Sequence, residues 1–225
     1  MSTPSSPALD ERRFAAVLFD MDGTLLDSIP SVERSWVRWC AEFDIDPVLL
    51  RSLHGVPAAQ VVRTVLPDGP QEAAFARIRE IEVADAPTVG VHAGARELLE
   101  HLAAIGAPHA IVTSCTDDLA RARIAATALP VPTVVVTADQ VSPGKPDPAP
   151  YLEAARRLGV AATACLVVED APAGAVAGRA AGCAVVGVLT TSTREELGPV
   201  ADLVVSGVAA LRMSAGPDGI RVAVA

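Results

Sequence analysis

Two aspartates, Asp20 and Asp22, stand one residue apart directly after the apolar run FAAVLF at 14–19. A strand that ends on two like charges carries a cost. At about 4 Å two carboxylates repel by about 4 kcal/mol in an effective dielectric near 20. Other stretches hold groups that could offset it. Thr113 and Ser114 close the run HAIVTS at 109–114. Lys145 sits in the loop ADQVSPGKPDP at 138–148, and Glu169 and Asp170 close ACLVVED at 164–170. In open parallel sheets ligands bind beyond the carboxyl ends of the strands, which is where these acids, hydroxyls and one ammonium fall. Acids from two separate strands can chelate a hard cation. Mg2+ takes oxygen ligands octahedrally, usually one or two carboxylates with waters and substrate phosphate. Such an ion between the Asp pair and Asp170, with Lys145 beside it, would make the local field positive.

The elements that must carry these residues alternate. From about residue 93 onward, the strand-type runs 109–114, 132–137, 164–170, 184–189 and 201–206 are separated by helical patterns. That alternation predicts an α/β fold, a parallel sheet with helices on both faces. Ser192 and Glu195 have the spacing of a capping box. Residues 28–86 differ, with helical patterns at 31–43, 58–66 and 71–84 and no convincing strand. Val32, Trp36, Trp39 and Cys40 recur at helical spacing there. This reads as an all-helical cap inserted after the first strand, with 85–94 as the return hinge. The expected division is a disordered tail at 1–13, a catalytic core at 14–27 and 93–225, and a cap at 28–92. The end, SAGPDGIRVAVA at 214–225, reads as a turn followed by one edge strand.

Bulk composition narrows the function classes. The chain has 225 residues, a net charge of −9, and 51% hydrophobic residues of which few are aromatic. The length suffices for a sizeable core, and that core should be aliphatic. The charge argues against a general binder of nucleic acid or anionic membrane. Cys40, Cys115, Cys165 and Cys183 form no CxxC pair and have no histidine at zinc spacing, so reduced thiols are expected. The start MSTPSSPALDERR has no apolar segment of a secretory signal. A cytoplasmic location is the expectation.

DMDGTLLDS, VTS, GKPDP and VVEDAPAGA, in that order and each at an expected strand end, resemble the four motifs of the haloacid dehalogenase-like hydrolases. The resemblance covers roughly residues 14–206. It implies a Rossmann-like core, and the helical insertion resembles the subgroup that has its cap at that point. Singly, each motif has an ordinary explanation: a turn after a strand, a helix N-cap at Ser114, a solvated loop lysine, acids at a helix start. Four in order do not.

The resemblance implies roles that suit the residue types. Asp20 would be the nucleophile, forming an aspartyl-phosphate. Asp22 would protonate the leaving alkoxide and then deprotonate the attacking water. Ser114 and Lys145 would hold the phosphoryl oxygens, and backbone N–H groups near Asp22 and Gly23 could meet them too. Asp20, the Asp22 carbonyl and Asp170 would bind Mg2+, with Glu169 ligating directly or from behind.

In the cap, His54 in LHGVP and Trp36 are candidate substrate contacts, and both are equally suited to cap support. Related β-phosphoglucomutases have a His early in the first cap helix and an Arg soon after the cap's Gly-Val. Here Val32 and Ala58 stand there, which favours a phosphatase over a phosphomutase. VERSWVRWCAEF and LHGVPAAQVV resemble the glycerol-3-phosphatase and 2-deoxyglucose-6-phosphatase branch, implying a small phosphorylated sugar or polyol as the partner. A signalling receiver, which also combines acids, a hydroxyl and a Lys, is the non-enzymatic alternative. It would place its phospho-accepting Asp after a middle strand and carry no helical insertion. A monomer is expected, with a homodimer as the alternative.

Overall fold

The run Ala16-Val17-Leu18-Phe19 has no polar alternation, and all four side chains are buried. A strand covered on both faces belongs inside a parallel sheet. The computed structural model, which describes residues 9–50 and 56–225, places it there. In chain order the strands are β1 (Ala16–Phe19), β2 (Leu26–Asp27), β3 (Gly90–Val91), β4 (His109–Val112), β5 (Val134–Val136), β6 (Cys165–Glu169), β7 (Ala184–Val188), β8 (Leu203–Val205), β9 (Leu211–Gly216) and β10 (Gly219–Val224). The helices are α1 (Ile29–Phe43), α2 (Ala58–Val65), α3 (Gln71–Asp85), α4 (Ala95–Ala104), α5 (Asp117–Thr127), α6 (Ala149–Leu158), α7 (Pro172–Ala180) and α8 (Arg194–Leu197).

Six strands form the main sheet in the order β5-β4-β1-β6-β7-β8, all pairs parallel. One apolar cluster, with Phe19, Leu99, Ile111 and Val168, covers one face. Another, with Leu18, Tyr151, Ala154 and Val185, covers the other. Helix α7 buries Gly174, Ala175, Ala177 and Gly178. A Cβ on Gly178 would lie 3.1 Å from Val167, so small residues let this helix sit close on β6.

Helices α1–α3 pack around their own cluster of Trp39, Cys40, Val62, Ala74, Ile78 and Ile81. The Trp39 indole N–H donates to the Ala74 carbonyl at 2.8 Å. The buried face of α1 is rotated from the expected one. Ser31 and Ser35 are buried with Trp39 and Cys40, while Val32 and Trp36 are half-buried. At the base of the insertion, β2 and β3 pair antiparallel, a ribbon of two residues per strand that no periodicity could reveal.

Two details correct the sequence reading. The capping box is formed one residue later than expected, by Thr193 and Glu196. The end of the chain is not one edge strand but a hairpin, β9–β10, in a sheet of its own. Its alternate residues Leu211, Met213, Ile220 and Val222 are buried in the core on the α4 side. Among the described residues, no helix is long and apolar enough to cross a membrane.

Candidate active site

Strand order and register bring the expected residues together. β1 lies between β4 and β6, with Phe19 level with both Ile111 and Val168. Asp20, one residue on, therefore emerges beside the ends of both neighbours. Glu169 and Asp170 follow from β6, and Thr113 and Ser114 from β4. The loop after β5 folds Lys145 back over this point.

Lys145 is only 6% exposed, as is Asp20. Its ammonium donates to Asp20 Oδ1 at 2.6 Å, Glu169 Oε1 at 2.6 Å and the Val112 carbonyl at 2.9 Å. Burial alone would lower its pKa; Asp20 and Glu169 more than reverse that and hold it above its ordinary value. Three carboxylates, Asp20, Glu169 and Asp170, each offer an oxygen within 4.8 Å of the others. One ammonium against three carboxylates leaves two formal negative charges unmatched. Burial raises Asp20 well above the ordinary carboxylate range, with Lys145 opposing and Glu169 and Asp170 adding to the rise. Burial, reinforced by Glu169, pushes Asp170 up to about 7.

These residues fit a hard divalent cation. Asp20 Oδ2 is buried and has no hydrogen-bond partner among the described residues, although buried carboxylate oxygens are normally paired. Excess negative charge, an unmatched oxygen and an all-oxygen donor set are what such an ion requires. Gly23 keeps room beside Asp170. Its φ is +85°, and a Cβ there would collide with the Asp170 carboxylate and come within 2.8 Å of Thr191.

Glu169 has both oxygens occupied. Oε1 accepts from Lys145 and from the Tyr151 hydroxyl at 2.7 Å, and Oε2 accepts the N–H groups of Asp170 and Ala171 at 3.2 Å each. Gly174 makes space for that carboxylate, since a Cβ would overlap it. Asp170 is held by the hydroxyls of Thr24, at 2.9 Å, and Thr191. Thr190 donates to the Gly23 carbonyl. The sequence reading missed Tyr151, Thr24, Thr190 and Thr191. One signal was available for Tyr151: it is the chain's single tyrosine and opens the helix after the Lys145 loop.

Asp22 is not one of these three acids and has partners of its own. Its Oδ1 accepts from Arg123 at 2.7 Å, and its Oδ2 accepts from the Cys115 thiol at 2.9 Å and the Thr113 hydroxyl at 3.4 Å. Burial, with Asp22 adding, keeps the Cys115 thiol well above its ordinary pKa, so it serves as a donor. Arg123 also lies 3.5 Å from Glu82 of α3. Burial pushes Glu82 up to about 7, with Arg123 opposing and Asp22 adding. Burial prevails because Arg123 stands closer to Asp22 than to Glu82.

Native Glu82 thus keeps its proton between its ordinary 4.5 and about 7, where the unfolded chain has lost it. That stabilisation is fully present below the unfolded value and is lost as pH rises through about 7. Thermal melts of wild type and Glu82→Gln between about pH 5 and pH 8 check it. Wild type is expected to lose stability relative to the variant as pH rises, and a constant difference would contradict the assignment.

Two of the expected contacts have partners within the fold. The Gly23 N–H donates to the Leu26 carbonyl at 2.8 Å, so the tight turn occupies this amide. Trp36, half-buried, packs on the insertion's own apolar cluster, edge-on to Trp39 with centroids 5.2 Å apart, which gives it the role of cap support. His54 lies outside the described residues. Ser114 is half-buried on the loop after β4, next to Thr113 and Cys115. The start of α5 falls to Thr116, which leaves Ser114 free of the N-cap position.

The motifs and the fold agree with comparison to known proteins. The profile described as haloacid dehalogenase-like hydrolase matches residues 17–188. Hexitol phosphatase A of Escherichia coli strain K12 is 41% identical over 212 residues, spanning 92% of this chain and 97% of its own. Glycerol-1-phosphate phosphohydrolase 1 of Saccharomyces cerevisiae is 33% identical over 191 residues, spanning 78% of this chain and 75% of its own. A crystal structure of a hydrolase from Pseudomonas syringae superposes with a TM-score of 0.77 at 27% identity, covering 86% of this chain and 94% of that one. Four motifs at four strand ends, a parallel sheet of matching architecture and relatives aligned over most of its length have one explanation: this chain belongs to the haloacid dehalogenase-like hydrolases.

Proposed function

We propose that the protein is a phosphatase that hydrolyses a small phosphorylated sugar or polyol through an aspartyl-phosphate on Asp20. The observation that carries this reading is the buried cluster at the end of β1. Lys145 fixes Asp20 Oδ1 at 2.6 Å while Asp20 Oδ2 is left without a partner among the described residues. Hexitol phosphatase A and glycerol-1-phosphate phosphohydrolase support the substrate class, since each is named for a phosphorylated polyol.

An Asp20 oxygen attacks phosphorus, and the bond from phosphorus to the ester oxygen breaks. Asp22 gives its proton to the leaving alkoxide. Water then attacks the aspartyl-phosphate, Asp22 takes a proton from it, and phosphate leaves with the Asp20 carboxylate restored. Lys145 and Ser114 steady the phosphoryl oxygens. Asp20, the Asp22 carbonyl and Asp170 would hold Mg2+, with Glu169 behind them orienting Lys145. Bound there, the ion would neutralise carboxylate and phosphoryl charge. Residues 28–92 act as the cap, excluding water and choosing the alcohol. The setting we propose is cytoplasmic, in keeping with four unpaired cysteines, and the form a monomer.

A phosphate-release screen over hexitol, sugar and glycerol phosphates, with Mg2+ or with chelator, tests this. Release from one or more of these esters is expected, and only with the ion. No release from any of them, or product isomerised without phosphate release, would overturn it.

A further inference from the structure

We propose that Arg123 is the positioning residue for Asp22, and that through Glu82 it ties the orientation of that carboxylate to the seating of α3. The inference rests on the phosphatase reading, which gives Asp22 its proton transfers.

Arg123 lies on α5 with its side chain 2% exposed. A charged group so buried needs partners, and Arg123 has two carboxylates from distant parts of the chain. Nη1 donates to Asp22 Oδ1 at 2.7 Å and touches Cys115 Sγ at 3.1 Å. Nη2 stands 3.5 Å from Glu82 Oε1 on α3, at the limit of hydrogen bonding, and the contact is an ion pair once Glu82 has lost its proton above about pH 7. Cys115 takes the other oxygen of Asp22. An aspartate has two side-chain torsions, and a donor on each oxygen fixes both.

Packing does not require a guanidinium here. Replacing a buried ion pair with apolar groups of similar volume is often neutral for stability. What an arginine adds is a rigid fork that can face two carboxylates at once. One lies on the loop after β1 and the other on the helical insertion. Arg79 of α3 pairs with Asp118 of α5 at 2.8 Å along the same seam, so Glu82 reaches Arg123 when α3 is docked on α5.

The test compares two esters in the presence of Mg2+. Acetyl phosphate expels acetate, which leaves without a proton; a polyol phosphate expels an alkoxide, which needs one. Arg123→Met is expected to lower kcat/KM for the polyol phosphate by roughly tenfold to a hundredfold more than for acetyl phosphate. Arg123→Lys should recover part of that difference. At about pH 8, where Glu82 is ionised, Glu82→Gln should shift the ratio in the same direction by less, and add nothing in the Arg123→Met background. Equal losses on the two esters, or no loss, would overturn the positioning role, because a merely structural defect lowers both alike. Should Arg123→Met fail to fold, Arg123→Lys and Glu82→Gln are read by the same ratio. A wild type that turns over neither ester removes the phosphatase reading itself, whereas an active wild type with flat variant ratios removes only the role of Arg123.

Discussion

Asp20→Asn should fold normally and release phosphate about 10^5-fold more slowly than wild type, the scale seen when a nucleophile is deleted. An amide cannot form the acyl-phosphate bond that the reading requires. Little else changes, because Lys145 keeps Glu169 Oε1 and the Val112 carbonyl as acceptors. The substitution also removes a carboxylate that burial, Glu169 and Asp170 all disfavour in its charged form. The metal-free variant should therefore melt no lower than wild type, as expected where a site trades stability for chemistry. Two measurements separate the claims. Release above about one part in a thousand of wild type would remove Asp20 as the nucleophile. A large drop in melting temperature would instead show that Asp20 holds the core together and that its repulsion is already offset within the protein.

How much of this was legible beforehand follows from the range of each signal. The parallel strands were readable because a strand buried on both faces is apolar without interruption, as at 16–19 and 165–168. The acids, the hydroxyls and Lys145 were readable because strand ends are where an open sheet presents ligands. Arg123 was not. The segment ARAR looks like the solvated face of a helix, and Arg121 fits that description at 79% side-chain exposure, paired with Asp117 one turn back. Two positions on, the helix has turned by roughly 200°, and Arg123 points inward to an aspartate 101 residues away. Only tertiary structure makes that pair visible. The capping box was a tie: S192-x-x-E195 and T193-x-x-E196 fit the pattern equally, and the second won in the fold. The hairpin at the end was halved because its first strand alternates only over Leu211-Arg212-Met213-Ser214 before the exposed Ala215 and Gly216, a run at the lower limit of a strand signal.

Lys145→Met probes the same cluster from its cationic side, and its effect should be the largest on stability. Methionine fills a similar volume, so packing alone predicts little change. Electrostatics predicts a great deal. Asp20, Glu169 and Asp170 would then face one another in the interior with no cation among them, and breaking a buried pair costs about 3–5 kcal/mol. Phosphate release should fall by about 10^2- to 10^3-fold, the usual loss when one donor to a developing oxyanion is removed. Millimolar Mg2+ should raise the melting temperature of the variant more than that of wild type, since the ion then supplies the only positive charge. The pH dependence carries the same sign. Asp170 already stands at about 7 with Lys145 lowering it, so its loss drives the value higher. The native state then holds protons that the unfolded chain has released, and stability falls as pH rises through that range. Metal-free Lys145→Met should thus be rescued by acid as well as by the ion. A variant as stable as wild type in chelator at about pH 8, indifferent to Mg2+ and to acid, would mean that the three acids do not share one uncompensated charge.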